Sequence, residues 1–289
     1  MSVRGVARVD LRTAVRSRMV WWLTGVLTVL SVLGTSLVAL LGVEGATAVD
    51  AVGTLSLPAV LLVPLASIVV GYVAVVGERR SGSLKLLLGF PVSRAAVVAG
   101  KLAARTATVA LAVLVAFAAS GVVAGLLYGG VPAGRYAAFA LATVGLGVAF
   151  AGLAVGVSAG VATRGRALAF AVGSYLLLVL FWQPVVAGVH YAATGTLPGA
   201  VVPAWYLLLE RLSPVGAYQT LMRAALDTGA TASVFAVRPP AASAAPLSTQ
   251  LGGDPVPWYL SDAAAALVLC AWAALPVVVG YLRFRGRDL

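Results

Sequence analysis

The sequence predicts an all-α polytopic membrane protein with six transmembrane helices, and three observations carry that expectation. Of its 289 residues 61% are hydrophobic and only 10% charged, and the mean hydropathy is +1.03. Soluble domains carry about 25% charged residues. The apolar residues come in blocks of roughly twenty, the length a helix needs to cross a ~30 Å hydrocarbon core. Alternating segments of about ten residues, which would mark a membrane barrel, are missing. Lysine and arginine fall between the blocks, in short loops, and concentrate in every second one. This pattern also removes nucleic acid as the reason for the +11 net charge.

Residues 1–18 place Arg4, Arg8, Arg12 and Arg16 at successive i, i+4 positions beside Val3, Ala7, Leu11 and Val15. A basic stripe next to an apolar one predicts an amphipathic interfacial helix lying along an anionic membrane surface. The first span is expected at 19–42, with Trp21 and Trp22 at the cytoplasmic interface. It is too long for the 7–15-residue apolar core of a signal peptide. A second span is expected at 55–76, bent by Pro58 and Pro64, and the others at 102–128, 136–161, 167–190 and 262–282. Arg164-Gly165-Arg166 reads as a tight basic turn between the fourth and fifth.

The external segment, 191–261, is not uniform. Ser213-Pro214 predicts a helix start and Gly229 a stop, with Tyr218, Leu221, Met222, Ala225 and Leu226 on one apolar face. Such a helix would lie on the outer leaflet or re-enter it. Residues 239–257, rich in Pro, Ala and Ser, are expected to be poorly ordered. Topology follows from the basic residues. Sixteen of the twenty Lys and Arg lie before the first span, between spans two and three, at 164–166 or after the sixth. The positive-inside rule therefore predicts both termini in the cytoplasm of a multi-pass plasma-membrane protein.

Several motifs suggest chemistry. Gly156-Val157-Ser158-Ala159-Gly160 matches the G-x-S-x-G pattern of serine hydrolases, and His190 is the single histidine. The serine falls near the cytoplasmic end of span four and the histidine near the outer end of span five. Helical rise separates them by roughly 30 Å, against the ~3 Å a catalytic pair needs. An intramembrane serine protease is thus a poor alternative. Gly121, Gly125 and Gly129, and again Gly152, Gly156 and Gly160, recur every fourth residue and predict close helix packing, within the subunit or across a dimer. Gly100-Lys101 fails as a phosphate-binding loop, since Ala95 and Leu102 stand where Gly and Ser or Thr are required. No nucleotide site or metal site is expected in this chain, and Cys270, alone, supports neither a disulfide nor a Cys cluster. A non-transporting membrane scaffold is the other alternative.

One polar stretch stands out, residues 77–105. A short helix is expected over 78–91, with Ser81, Leu84, Leu87 and Leu88 on one face and Glu78, Arg79, Arg80 and Lys85 on others. Gly89-Phe90-Pro91 ends it, and Ser93 can cap the next helix. The run GERRSGSLKLLLGFPVSR from Gly77 to Arg94, followed by Gly100-Lys101, resembles the permease subunits of type-2 ABC transporters. In these a Glu, a Ser-Gly-Thr/Ser-Leu, a Pro-x-Ser-Arg and a Gly-Lys follow the second span. Among subgroups the chain looks most like the permease that serves nitrous-oxide reductase maturation. The resemblance implies that the 78–91 helix is a coupling helix seated in a separate cytoplasmic ABC ATPase, which binds the ATP and Mg²⁺. Glu78, Arg80, Ser81, Gly82, Leu84, Leu88, Pro91, Ser93 and Arg94 occupy the matched positions, with Arg164 and Arg166 at a minor cytoplasmic contact. It also implies a second permease subunit, in a homo- or heterodimer.

Overall fold

Several helices begin where a side chain takes up a free backbone amide, as Thr47, Ser93, Thr163, Ser213 and Ser261 each do. The computed structural model describes residues 3–81, 93–227 and 235–286, the side chains of residues 80 and 81 excepted. Six helical stretches are long and apolar enough to cross a membrane: Arg18–Leu40, Ala48–Arg79, Arg94–Tyr128, Ala133–Gly160, Arg164–Thr194 and Asp262–Arg285. These are the first to sixth spans, and among the described residues there is no strand.

The boundaries differ from expectation for identifiable reasons. Ser93 Oγ accepts from the Ala96 amide at 3.1 Å, so the third span starts at Arg94 and carries Lys101 and Arg105 within it. Thr163 Oγ1 accepts from the Arg166 amide at 3.3 Å, which corrects the predicted basic turn: Arg164 and Arg166 sit on the first turn of the fifth span. The second span is three helices in series, Ala48–Gly53, Ser56–Gly71 and Val76–Ser81. Its start is fixed by a capping box between Thr47 and Asp50. Pro58 falls in the first turn of the middle helix, where a missing amide costs nothing, so only Pro64 is interior. A π-helical segment, Leu176–Phe181, interrupts the fifth span.

The fourth span is the axis of the fold. Phe139, Leu146, Phe150 and Ala154 are fully buried in a core shared with the second, third and fifth spans. The sixth span lies against its glycine face. A Cβ on Gly152 would collide with the Ala273 carbonyl, and one on Gly156 with that of Pro276. Gly280 returns the contact onto Gly156, and Gly160 faces Gly280 Cα. In lipid, where apolar burial drives association weakly, such close backbone approach supplies the attraction. The glycines of the third span behave differently: Gly121 faces the Tyr136 ring, whereas nothing lies within 4 Å of a Cβ on Gly125 or Gly129.

The N-terminal helix is present, Val3–Val15, but turns a different face to the protein than expected. Val6 and Ala14 are buried, with Asp10 between them, and Arg4, Arg8, Arg12 and Arg16 are exposed. The Trp21 indole donates to the Val15 carbonyl at 2.7 Å and closes that helix end against the first span. Between the fifth and sixth spans, helices Ala204–Leu212 and Pro214–Leu226 form a hairpin. Ser213 caps the second of these as predicted, accepting from the Gly216 amide at 2.9 Å. Of the two expected placements, the packing fits re-entry. That helix packs between the fourth and sixth spans, with Tyr218, Met222 and Leu226 fully buried. It stops at Asp227, whose φ of 54° is left-handed, and Gly229 lies outside the described residues. Residues 239–257 also depart from expectation. They include helices Pro240–Ala244 and Leu247–Gln250, because Gln250 donates to the Ser243 and Ala245 carbonyls and accepts from Arg238.

Candidate functional site

Val6, Val97, Val98, Val155, Ala159 and Phe284 bury one another, so both chain ends meet at one end of the bundle. The start of the 78–91 segment emerges there. Gly82, Leu84, Leu88 and Pro91 lie outside the described residues, as do the side chains of Arg80 and Ser81. The residues flanking them are held from four directions.

Lys101 is the hub. Its side chain is 2% exposed, and its ammonium lies 2.5 Å from Glu78 Oε1 and 3.4 Å from Asp10 Oδ1. Arg105 reaches the same aspartate at 3.0 Å. Three elements are thereby tied together: the N-terminal helix through Asp10, the end of the second span through Glu78, and the third span through Lys101 and Arg105. Gly100 makes the geometry possible, since a Cβ there would stand 2.7 Å from Val6 Cβ. The Gly100-Lys101 pair that fails as a nucleotide loop thus has a structural use. Glycine lets one helix cross the other, and lysine joins them to Glu78.

On the far side of the segment, Arg94 donates to the Phe284 and Arg285 carbonyls at 3.0 and 2.9 Å. These are unsatisfied acceptors at the C-terminal end of a helix, where a cation is favoured. Both Arg94 and Arg79 lie over the Phe284 ring, at 5.4 and 5.3 Å from its centroid. Arg79 also donates to the Val161 carbonyl at 3.3 Å. Arg164 borders Gly77, where it stands 3.7 Å from a Cβ position, and Arg166 is exposed on the same helical turn.

Ser158 has a role without catalysis. Its Oγ accepts from the Val75 and Val76 amides at 3.0 and 3.1 Å, where the second span breaks before Val76–Ser81. His190 belongs to the opposite end, bonded through Nδ1 to the Thr196 carbonyl and Thr194 and stacked on Trp205. The structure does not bring the two together. Sequence reasoning missed Asp10 and the hub role of Lys101. The available signal was that Asp10 is the only acid among the N-terminal arginines and sits at i+4 from Val6.

Six apolar spans around a glycine-packed axis, with charge gathered at one end, define a multi-pass protein of the cell membrane. The model of the ABC-2 family transporter proteins matches residues 4–289, and the chain belongs to that family. It is similar to the probable ABC transporter permease protein NosY of Stutzerimonas stutzeri, 29% identical over 99% of this chain and 98% of the relative. The protein of that name from Pseudomonas aeruginosa is 28% identical, with 98% of each chain covered. The chain is thus the transmembrane permease subunit of an ABC transporter, a class that works with an ATPase subunit.

Proposed function

We propose that a separate cytoplasmic ABC ATPase docks on the 78–91 segment, with Arg164 and Arg166 as a minor contact, and drives a pair of permease subunits, identical or mixed. ATP and Mg²⁺ belong to the ATPase. The charge bias supports this arrangement, with both termini and this segment in the cytoplasm and residues 191–261 outside. The observation that carries the reading is the bracing of the segment's two ends, through Glu78–Lys101–Asp10 on one side and Arg94–Phe284 on the other. A force applied between those anchors reaches the N-terminal helix and the second, third and sixth spans together. In this mechanism Glu78 and Arg94 transmit movement, and the apolar residues Leu84 and Leu88 take the ATPase contact. ATP-driven closure of the ATPase pair then shifts spans two and three against the rest, and the path between the permeases changes its side of access.

Co-purification with the cognate ABC ATPase is the direct test. Leu84→Asp, combined with charge reversal at Glu78 and Arg80, should abolish both ATPase binding and transport; full retention of both rejects docking. A scaffold would show no nucleotide-dependent change in the permease. As for cargo, the NosY relatives and the subgroup resemblance support transport in the service of nitrous-oxide reductase maturation. Deletion of the gene should remove that reductase activity and a plasmid copy restore it, while unchanged activity rejects the assignment.

A further inference from the structure

Of the four basic residues predicted outside, Arg135, Arg211, Arg223 and Arg238, the last three gather around one cavity. It lies between the fifth span and the helical hairpin that follows. Its walls include Leu178 and Val179 of the π-helical segment, together with Gln183 and Gln219. Gln183 precedes the end of its helix at Thr194 by about 17 Å of helical rise, so the cavity is set deep beside the span. π-Helical interruptions occur frequently at functional sites.

The charge in this cavity does not balance. Among the described residues, Glu210 is the acidic residue in the wall. Arg238 is committed to the protein. It donates to the Gly199 and Ala200 carbonyls at 3.1 Å and to Gln250 Oε1 at 2.9 Å, lies 3.6 Å from Glu210, and stands over the Tyr206 ring. Arg211 and Arg223 are anchored by carbonyls, of Leu260 and of Ser243, and carry no salt bridge among the described residues. Burial lowers the pKa of both; Arg223 adds to the effect on Arg211 and Arg238 to that on Arg223, against the pull of Glu210 and Asp262. A guanidinium stays protonated at neutral pH, so Arg211, Arg223 and Arg238 outnumber the two carboxylates that act on them, Glu210 and Asp262, and the cluster keeps an excess positive charge that a bound anion would balance.

We propose that this cavity is a binding site for a small oxyanion group, phosphate, sulfate or carboxylate, held between Arg211 and Arg223. Planar forked donors suit that geometry. Such a group can arrive as a free anion or as the head group of a phospholipid, and the recognition chemistry is the same. The site is independent of where the ATPase docks.

The test uses the full chain, purified in an uncharged detergent, with thermal unfolding followed at constant ionic strength. Sulfate, phosphate or acetate replacing chloride should raise the unfolding temperature in a saturable way. Short-chain phosphatidic acid giving a larger shift than sulfate assigns the lipid source, and the reverse assigns the free anion. Arg211→Gln and Arg223→Gln should each weaken the response at least tenfold, whereas Glu210→Gln, which removes the internal competitor, should strengthen it several-fold. An absent anion-specific shift overturns the proposal, as does a shift that survives both arginine substitutions. If those variants fail to fold, the Glu210→Gln variant decides: unchanged affinity is equally fatal.

Discussion

Lys101 shows how one buried charge can organise a terminus. A lysine taken out of water is tolerated only with partners, and here Glu78 and Asp10 supply them from two other elements. Breaking such a pair by removing one member costs about 3 kcal/mol, discounted because the Glu78 side chain is 33% exposed. Lys101→Met should therefore lower thermal stability sharply, and Lys101→Met with Glu78→Gln should recover part of it; additive losses would contradict coupling. Glu210 gives a second prediction at this scale. Burial pushes its carboxyl above the ordinary value of 4.5, against the opposing pull of Arg238, Arg223 and Arg211 and a hydrogen bond from Tyr206. A raised folded pKa gives stability that is present below about pH 4.5 and fades as pH rises through the folded value. Glu210→Gln should accordingly flatten the stability profile above pH 4.5, measured by thermal unfolding across pH.

Among the helices, the glycine repeats divide into two kinds that spacing alone does not separate. Gly156→Leu should prevent folding of the permease, because the Pro276 carbonyl occupies the space, while Gly125→Ala should be neutral. Expression and detergent gel filtration distinguish them. Ser158→Ala removes the acceptor of two amides and should cost about 1–3 kcal/mol, with no change in labelling by a serine-directed fluorophosphonate. Six spans, the Ser93 and Ser213 caps and the apolar face of Pro214–Leu226 were legible in the sequence, since they rest on local periodicity and capping chemistry. The π-helical segment, the orientation of the N-terminal helix and the folded 239–257 stretch were not. The last two depend on partners outside the segment: Gly100 and Lys101 for the N-terminal helix, Arg238 for Gln250. Composition records that a segment is Pro-rich, but not that an arginine waits to bind its turn.

For the molecule as a whole, the charge bias makes a prediction that impermeant maleimide can check. In a Cys270→Ser background, Ser248→Cys should label in intact cells and Arg12→Cys only after permeabilisation; the opposite pattern would invert the topology. The fourth span, the most buried of the six, is the body against which the others are arranged. Spans one, five and six are the least buried and turn most of their surface outward, to lipid or to a second subunit.

Asp10 and Lys101 also set a clock for biogenesis. Asp10 leaves the ribosome well ahead of the lysine it seats on, which follows 91 residues later. At about 5–20 residues per second of synthesis, that is roughly 5–18 s. Until the third span is inserted, the helix has only lipid and water to lie against, and its Asp10 stays solvated. Seating is therefore a late event that reports completed insertion of the first three spans. Nascent chains truncated before Lys101 should keep the N-terminal helix open to protease, and chains extended well past it should close that window.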